Sequence, residues 1–250
     1  MFDISAYLSR INYSGSTDPT VETLRALHRV HLFTVPFENL DISLGRKIVL
    51  DEAAILNKVV ILRRGGFCYE LNCAFAALLR ALNFQVTLLS ARVSRANGGE
   101  GPEFDHLSLR VDLDEPRLVD VGFGDSFLEP LLLKPEMKQV DPAGTFRLIA
   151  YADRFRMERV GVDNAWKPEY SFSLLPRRLE EFAGMCQYHQ TSPDSSFTRH
   201  RTCSRATPEG RMTLADMRFI VTSQGQRKEK ELKSEEKRVR ILWEDFGIRV

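Results

Sequence analysis

The sequence has neither an excess of charge of one sign nor a long hydrophobic run. Its 250 residues contain 35 Lys and Arg against 34 Asp and Glu, a formal charge of +1. A nucleic-acid partner is not expected, because such proteins carry a basic excess. No stretch approaches the ~18 apolar residues of a membrane-spanning helix, and the N-terminus has no apolar signal core. These absences predict a cytoplasmic globular protein without a membrane partner.

Cysteine is also scarce, with four residues in the chain: Cys68, Cys73, Cys186 and Cys203. None of them forms a CxxC pair, and no second His or Cys pair stands at zinc-ligand spacing, so no metal site is expected. In a reducing compartment these cysteines are predicted to be free thiols. The phosphate-binding patterns GxxxxGK and GxGxxG are absent as well, so the sequence offers no standard phosphate cradle.

The apolar spacing divides the chain into regions of different secondary structure. Up to residue 83 the period is helical: Asp3 caps the first predicted helix, Asp51 caps the third, which Gly65 and Gly66 end, and the fourth begins at or near Cys68. Between residues 84 and 175 short strand-like runs alternate with turns, which favours an antiparallel sheet or small barrel. The remainder mixes strands with a closing helix that is expected to dock.

The stretch RRGGFCYELNCAF, residues 63–75, places Cys68 at the predicted start of a helix. A helix N-terminus carries partial positive charge and unpaired N–H groups, both of which stabilise a thiolate. The two glycines would let the backbone turn sharply, and Arg63 and Arg64 would add positive potential if they point inward. Taken alone, a cysteine beside an apolar stripe is more often a core residue, and arginines are more often solvated.

A nucleophilic cysteine needs a base and an orienting acid. Among the five histidines, His106 opens the alternating strand HLSLRVDL, on the face opposite Leu107, Leu109 and Val111. Asp120 lies among apolar residues in RLVDVGFG, so it needs a partner, either an imidazole or a nearby arginine. The order Cys, His, Asp matches papain-like enzymes, but only 38 positions separate Cys68 from His106, against ~130 in papains.

Five segments together resemble the arylamine N-acetyltransferases over most of the chain. They are PFENLD at 36–41, RRGGFCYELN at 63–72, FDHLSLRV at 104–111, LVDVGFG at 118–124, and SPDSSFTRHRTCSRATPEGRMTL at 192–214. The resemblance implies an α+β fold with a papain- or transglutaminase-like Cys-His-Asp core. It also implies a helical domain (1–83), a central antiparallel β-barrel domain (84–190) and an α/β third domain (191–250).

The resemblance further implies a role for individual residues. Cys68 would take an acetyl group from acetyl-CoA, His106 would act as base and then acid, and Asp120 would orient it. Glu38 and Arg64 would form a buried supporting pair, and Gly124 would let the pantetheine arm of CoA approach the backbone. The apolar pocket for a small aromatic amine or hydrazine would be lined by Phe37, Val93, Phe104, Phe123 and Phe197.

Cys73 departs from the family pattern, which commonly has glycine there, and a second thiol near Cys68 raises the question of oxidation. Three alternatives stay open at the level of sequence: an amide synthase or acyltransferase of the same fold with another acyl donor, a transglutaminase-like cysteine hydrolase, and a binding module that has lost turnover. The physiological amine, the preferred acyl-CoA and the oligomeric state are likewise open.

Overall fold

The computed structural model describes residues 3–161 and 163–249. The first part of the chain is helical, as the sequence predicts. It contains α1 (Ile4–Arg10), α2 (Val21–Thr34), α3 (Leu40–Ser43), α4 (Glu52–Leu56), a π-helical segment (Asn57–Ile61) and α5 (Cys68–Ala81). Both predicted caps form, because Asp3 accepts the Ala6 N–H at 2.9 Å and Asp51 accepts the Ala54 N–H at 2.8 Å.

The third predicted helix ends differently from the expectation. It widens into the π-helical segment and stops before Arg63, which adopts φ +53°. Gly65 and Gly66 do not end it; they are needed for close packing instead. A Cβ on Gly65 would collide with the carbonyl oxygen of Pro36, and one on Gly66 would lie 2.7 Å from the Cβ of Glu70.

The middle of the chain forms an eight-stranded antiparallel sheet that is nearly closed into a barrel. Its strands run in the order β5-β4-β3-β2-β9-β8-β7-β6, which confirms the predicted α+β class and barrel. Their bounds are β2 (Gln85–Val93), β3 (His106–Asp112), β4 (Arg117–Val119), β5 (Leu131–Leu132), β6 (Gln139–Asp141), β7 (Gly144–Tyr151), β8 (Arg154–Val160) and β9 (Trp166–Phe172).

Strand β3 is buried on both faces, and each face serves a different core. Leu107, Leu109 and Val111 pack into the same apolar cluster as the inner face of α5. The opposite face looks toward the barrel interior, where Tyr170 is fully buried. Alternation therefore turns His106 away from the helical core, as its position in the sequence predicts.

The C-terminal part adds a second antiparallel sheet, in the order β1-β10-β11-β12-β13. Strand β1 (Phe37–Glu38) comes from the helical region, and the others are β10 (Thr202–Thr207), β11 (Gly210–Ala215), β12 (Arg218–Ser223) and β13 (Gln226–Glu231). The helices are a 3₁₀ turn (Leu179–Phe182), α6 (Ala183–Thr191), α7 (Ser196–Arg199) and α8 (Glu235–Glu244). Helix α8 docks through Leu242 beside Leu214.

Two contacts cross the expected domain limits. Strand β1 pairs with β10, with Phe37 opposite Ser204, and Cys186 of α6 belongs to the core around α5. The division at residues 83 and 190 therefore stays a prediction. Among residues 3–161 and 163–249, no helix combines the length and apolarity needed to cross a membrane.

Candidate active site

Cys68 is the first residue of α5 and only 4% exposed. Burial raises the pKa of its thiol well above the usual value, and the charges of Asp120 and Asp105 raise it further, while a hydrogen bond from the Leu107 backbone N–H lowers it. The partial positive charge of the helix N-terminus also favours the thiolate. A buried thiolate nevertheless needs a cationic partner.

Neither arginine before Cys68 supplies this positive charge. The condition stated above, that both side chains point inward toward Cys68, is not met. Arg63 is exposed, and Arg64 is bound elsewhere, with its Nη2 2.7 Å from Glu38 Oε1 and 3.0 Å from Asp41 Oδ1. The predicted Glu38–Arg64 pair is thus buried and in contact, and its supporting role stays a prediction.

The pair belongs to a larger buried cluster of charges beneath the first turn of α5. Lys58 Nζ lies 2.7 Å from both Asp41 Oδ2 and Glu70 Oε1. The other carboxylate oxygen of Glu70 accepts the Phe67 N–H at 3.1 Å. The charge network therefore fixes the residue that immediately precedes Cys68. Burial raises the pKa of Glu70 to about 7.

His106 and Asp120 form the second part of the site. His106 Nε2 donates to Asp120 Oδ2 at 2.7 Å, and both side chains are almost fully buried. Burial opposes ionisation of Asp120, but the charge of His106 and hydrogen bonds from His106, Asn72 and Gly122 hold its pKa below the usual value. Nε2 is thus engaged with Asp120, and the His106 ring lines the same cavity as Cys68.

Asn72 and Gly122 join α5 to the segment after β4. Asn72 Nδ2 donates to Asp120 Oδ1 at 2.9 Å and to the Leu107 carbonyl at 2.6 Å, and its Oδ1 accepts the Val121 N–H at 3.0 Å. A Cβ on Gly122 would lie 2.8 Å from the Cα of Cys68. The acid and the thiol are therefore held on two backbones in direct contact.

The sequence arguments missed Asn72, although it gave a signal. It is an amide on the otherwise apolar face of α5, one helical turn after Cys68, and it is fully buried. A polar side chain at such a position requires partners, and here they come from β3 and from Asp120.

His28 on α2 contacts the backbone of the same acid. Its Nδ1 donates to the Leu128 carbonyl at 2.9 Å and its Nε2 accepts the Asp120 N–H at 3.3 Å. Burial lowers the pKa of His28, consistent with this neutral tautomer.

Burial raises the pKa of Tyr170 well above normal, and the adjacent Asp120 charge adds to the effect.

A cavity of about 460 Å³ opens over Cys68 and His106. It is walled by rings from three parts of the chain, with Phe37 and Phe197 6.1 Å apart between centroids and Phe123 5.2 Å from His106. Of the predicted pocket and CoA residues, the structure brings together at this cavity Phe37, Val93, Phe123, Gly124 and Phe197.

Phe104 does not line this cavity, contrary to the expectation. It adopts φ +65°, and its ring packs edge-on against Phe182 at 5.1 Å with the Arg177 guanidinium over its face. Its carbonyl oxygen accepts the Tyr69 hydroxyl at 2.7 Å. The Phe104 ring therefore packs outside the wall of this cavity.

Cys73 is a buried core residue. It is 4% exposed, and burial raises the pKa of its thiol to about 12. Since the thiolate is the species that oxidises readily, this environment argues against oxidation together with Cys68. All four cysteines are free, and within the described ranges 3–161 and 163–249 no group of three or more His, Cys, Asp or Glu side chains is placed to hold a metal ion.

A thiol at a helix N-terminus, an imidazole held by a carboxylate and an aromatic cavity define a class of enzyme. Enzymes that form covalent intermediates on a cysteine use this combination of groups. A family model described as N-acetyltransferase matches residues 20–250.

Individual relatives agree with this class. An arylamine N-acetyltransferase from Escherichia coli strain K12 is 34% identical over 99% of this chain and 89% of its own length. The solved structure of arylamine N-acetyltransferase from M. tuberculosis superposes with a TM-score of 0.93 at 33% identity, over 99% of this chain and 94% of that one. A Mycobacterium marinum arylamine N-acetyltransferase solved in complex with CoA has a TM-score of 0.92 at 31% identity, covering 98% and 93% of the two chains.

The chain belongs to the arylamine N-acetyltransferase family. It is an acyltransferase enzyme, which is the expectation that the sequence motifs raised.

Proposed function

We propose that this enzyme transfers an acetyl group from acetyl-CoA to the nitrogen of an arylamine or arylhydrazine by a ping-pong reaction through an acetylated Cys68. The observation that carries the assignment of residues is the 2.7 Å contact between His106 Nε2 and Asp120 Oδ2 in the same cavity wall as Cys68. Family membership supports the acetyl-CoA donor and the aryl acceptor.

In the first half-reaction the Cys68 thiol gives its proton to Nδ1 of His106. The resulting imidazolium is stabilised by Asp120, which overcomes the unfavourable burial of the thiolate. The thiolate attacks the thioester carbonyl of acetyl-CoA, and a backbone N–H at the start of α5, such as that of Tyr69, stabilises the oxyanion. The C–S bond to CoA then breaks, and the CoA sulfur takes the proton from His106.

In the second half-reaction the amine occupies the cavity that CoA has left. Its nitrogen lone pair attacks the acetyl carbon while His106 Nδ1 accepts the N–H proton. The bond to Cys68 Sγ breaks, and the sulfur recovers its proton from the imidazolium. Aryl amines suit this step because they are largely unprotonated at neutral pH.

The aromatic wall explains why an aryl acceptor is favoured over water. Phe37, Phe123 and Phe197 bury a flat ring at about 25 cal/mol per Å² of apolar surface, and Val93 lines the same cavity. A water molecule has no apolar surface to bury, so it gains no such free energy from these rings. The acyl-enzyme is therefore protected until an aromatic nucleophile enters.

The donor passes Gly124, where φ is +94° and a Cβ would lie 3.6 Å from the Phe37 ring. Beyond it a second cavity of about 560 Å³ shares Asp125 and Arg211 with the first and is also lined by Arg159. Guanidinium groups bind phosphate bidentately. We assign the CoA phosphates to this second cavity, and Arg159→Gln should raise KM for acetyl-CoA without affecting an acetyl ester that lacks the nucleotide.

We also propose a cytoplasmic location, supported by the four free thiols, and the division into helical (1–83), barrel (84–190) and third (191–250) domains. The helical domain would supply the nucleophile and the barrel domain would supply His106 and Asp120. The contact between Gly122 and Cys68 would then join those two domains at the site of the reaction.

Intact-protein mass spectrometry after brief exposure to acetyl-CoA without an amine tests the proposal. The wild-type protein should gain the mass of one acetyl group, and Cys68→Ala should gain none. Cys203→Ala is a matched control, because that thiol is also buried but lies in another core. Acetylation of Cys68→Ala, or none in the wild type, would contradict the proposal.

A related function is an acyltransferase or amide synthase that uses another acyl-CoA, since the cavity continues past Cys68 into the donor region. Replacing acetyl-CoA in the same measurement by longer or carboxylated acyl-CoA thioesters separates the two. Preferential labelling by such a donor would reassign the substrate while retaining the mechanism. A cysteine hydrolase would instead retain no acyl group.

A further inference from the structure

A second histidine and a second aspartate line the catalytic cavity. His189 on α6 and Asp105, the residue before His106, both contribute to its wall. His189 Nε2 lies 3.2 Å from Asp105 Oδ1, with side chains 10% and 15% exposed. The mechanism described above uses neither residue.

An oxygen atom lies near each ring nitrogen of His189. Asp105 Oδ1 is 3.2 Å from Nε2 without forming a hydrogen bond, and the Ser195 hydroxyl lies 3.4 Å from Nδ1. That hydroxyl donates to the His189 carbonyl at 3.2 Å and accepts the Phe197 N–H at 3.2 Å. When the ring carries a proton on both nitrogens, the two side chains form an ion pair across this contact.

The charge of Asp105 matters because of its position relative to the nucleophile. Its carboxylate disfavours a thiolate at Cys68 and raises the pKa of that thiol. An adjacent cation cancels most of this repulsion, because opposite charges in contact present little net field at a distance.

The other groups near the sulfur do not replace this cation. The Tyr69 hydroxyl donates to backbone carbonyls, and Arg211 is engaged with Asp125 at 3.3 Å. Other ionisable groups near Cys68 are His106 and Asp120 of the proposed triad, and Cys186 on α6, where burial raises the pKa of the thiol to about 12.

We propose that protonated His189 neutralises the negative charge of Asp105. Cys68 can then form its thiolate beside His106. The inference rests on the proposed function for the identity of the nucleophile. It assigns His189 a role in acylation that none of the family motifs quoted above carries.

The test measures Cys68 ionisation directly, as the rate of alkylation by iodoacetamide against pH, with Cys68→Ala as background. His189→Gln leaves Asp105 uncompensated and should move the midpoint up by about one pH unit, whereas Asp105→Asn should move it down by a similar amount. The double variant, in which both charges are absent, should return toward the wild-type midpoint. Circular dichroism verifies that each variant is folded, and Asp105→Ser replaces Asp105→Asn if the latter is not.

His200 and Asp216 provide a matched control. They form another His–Asp pair, with Nδ1 3.0 Å from Oδ2, but His200 is largely exposed and neither residue lines the cavity. His200→Gln and Asp216→Asn should leave the alkylation profile unchanged. Midpoints of His189→Gln and Asp105→Asn that coincide with wild type, or move in the same direction, would overturn the inference.

Failure of the proposed function gives a different result. In that case acetyl-CoA would not label wild-type Cys68, whatever the alkylation midpoints show. Normal acetyl labelling together with unshifted midpoints would overturn only the role of the ion pair.

Discussion

Replacement of Gly122 by alanine is the sharpest perturbation of the junction between the thiol and its acid. The new Cβ would lie 2.8 Å from the Cα of Cys68, 2.9 Å from its carbonyl oxygen and 2.7 Å from Asn72 Nδ2. Two of these atoms are helix backbone, which cannot rotate away. Since ordinary Cβ contacts begin at 3.4 Å, the backbones must separate by roughly 0.5 Å.

That separation moves Cys68 away from the His106–Asp120 pair, which is anchored to the same segment as Gly122. Overpacking of this kind costs about 1–3 kcal/mol of stability. A misplacement of reacting groups approaching 1 Å costs about 10²-fold in rate. We therefore expect acylation by acetyl-CoA to fall about 10- to 100-fold.

The assay is the rate of acetyl labelling of Gly122→Ala, measured by intact mass well below its unfolding midpoint. Gly184→Ala on α6 is the matched control, because its Cβ would meet no atom within 4 Å. That variant should keep its acylation rate and gain up to about 1 kcal/mol of stability. A folded Gly122→Ala protein that is acylated at the wild-type rate would refute the argument that this contact sets the geometry.

Three further outcomes are expected. Asp120→Asn should reduce acylation by on the order of 10³–10⁴-fold, because an amide cannot stabilise the imidazolium; near-normal labelling of a folded variant would remove Asp120 from that role. Phe123→Ala should raise KM for an arylamine about tenfold, more than it slows acylation, and an unchanged KM would exclude this ring from the acceptor pocket. Burial raises the pKa of Glu70 to about 7 from 4.5, so the native state binds the extra proton between these values and the free energy of unfolding falls as pH rises through them, by up to about 1.4 kcal/mol per unit. Urea denaturation should show a shallower decline for Glu70→Gln, and parallel curves would contradict this.

The local features of the site were accessible from sequence because they depend on short-range rules. A helix starting at Cys68 follows from glycines before an apolar period, and alternation in HLSLRVDL puts His106 opposite Leu107. Asp120 could be singled out because a carboxylate among apolar residues needs a partner. Recognition of the family then connected segments that are far apart in the chain.

Other features depended on contacts that no local rule encodes. His28 reaches the Asp120 backbone across 92 positions, and His189 of α6 lies 3.2 Å from Asp105, which is also far away along the chain. The family resemblance implied that Phe104 lines the pocket, but this residue has a positive φ and its ring packs against Phe182. A motif constrains identity at a position, whereas φ and packing decide where the side chain goes.

By itself, the sequence determined the chemistry that this protein carries: a thiol at a helix start, an imidazole on a strand and an unsatisfied carboxylate, each specified by periodicity and by the cost of burying polar groups. Only the tertiary structure decided how those groups meet. It brings Gly122 against the backbone of Cys68, adds Phe197 to the aromatic cavity, and places His189 next to Asp105 in the wall of that cavity. The physical reason is that spacing along the chain fixes the face of the helix or strand on which a residue lies. Long-range packing decides which other helix or strand that face contacts.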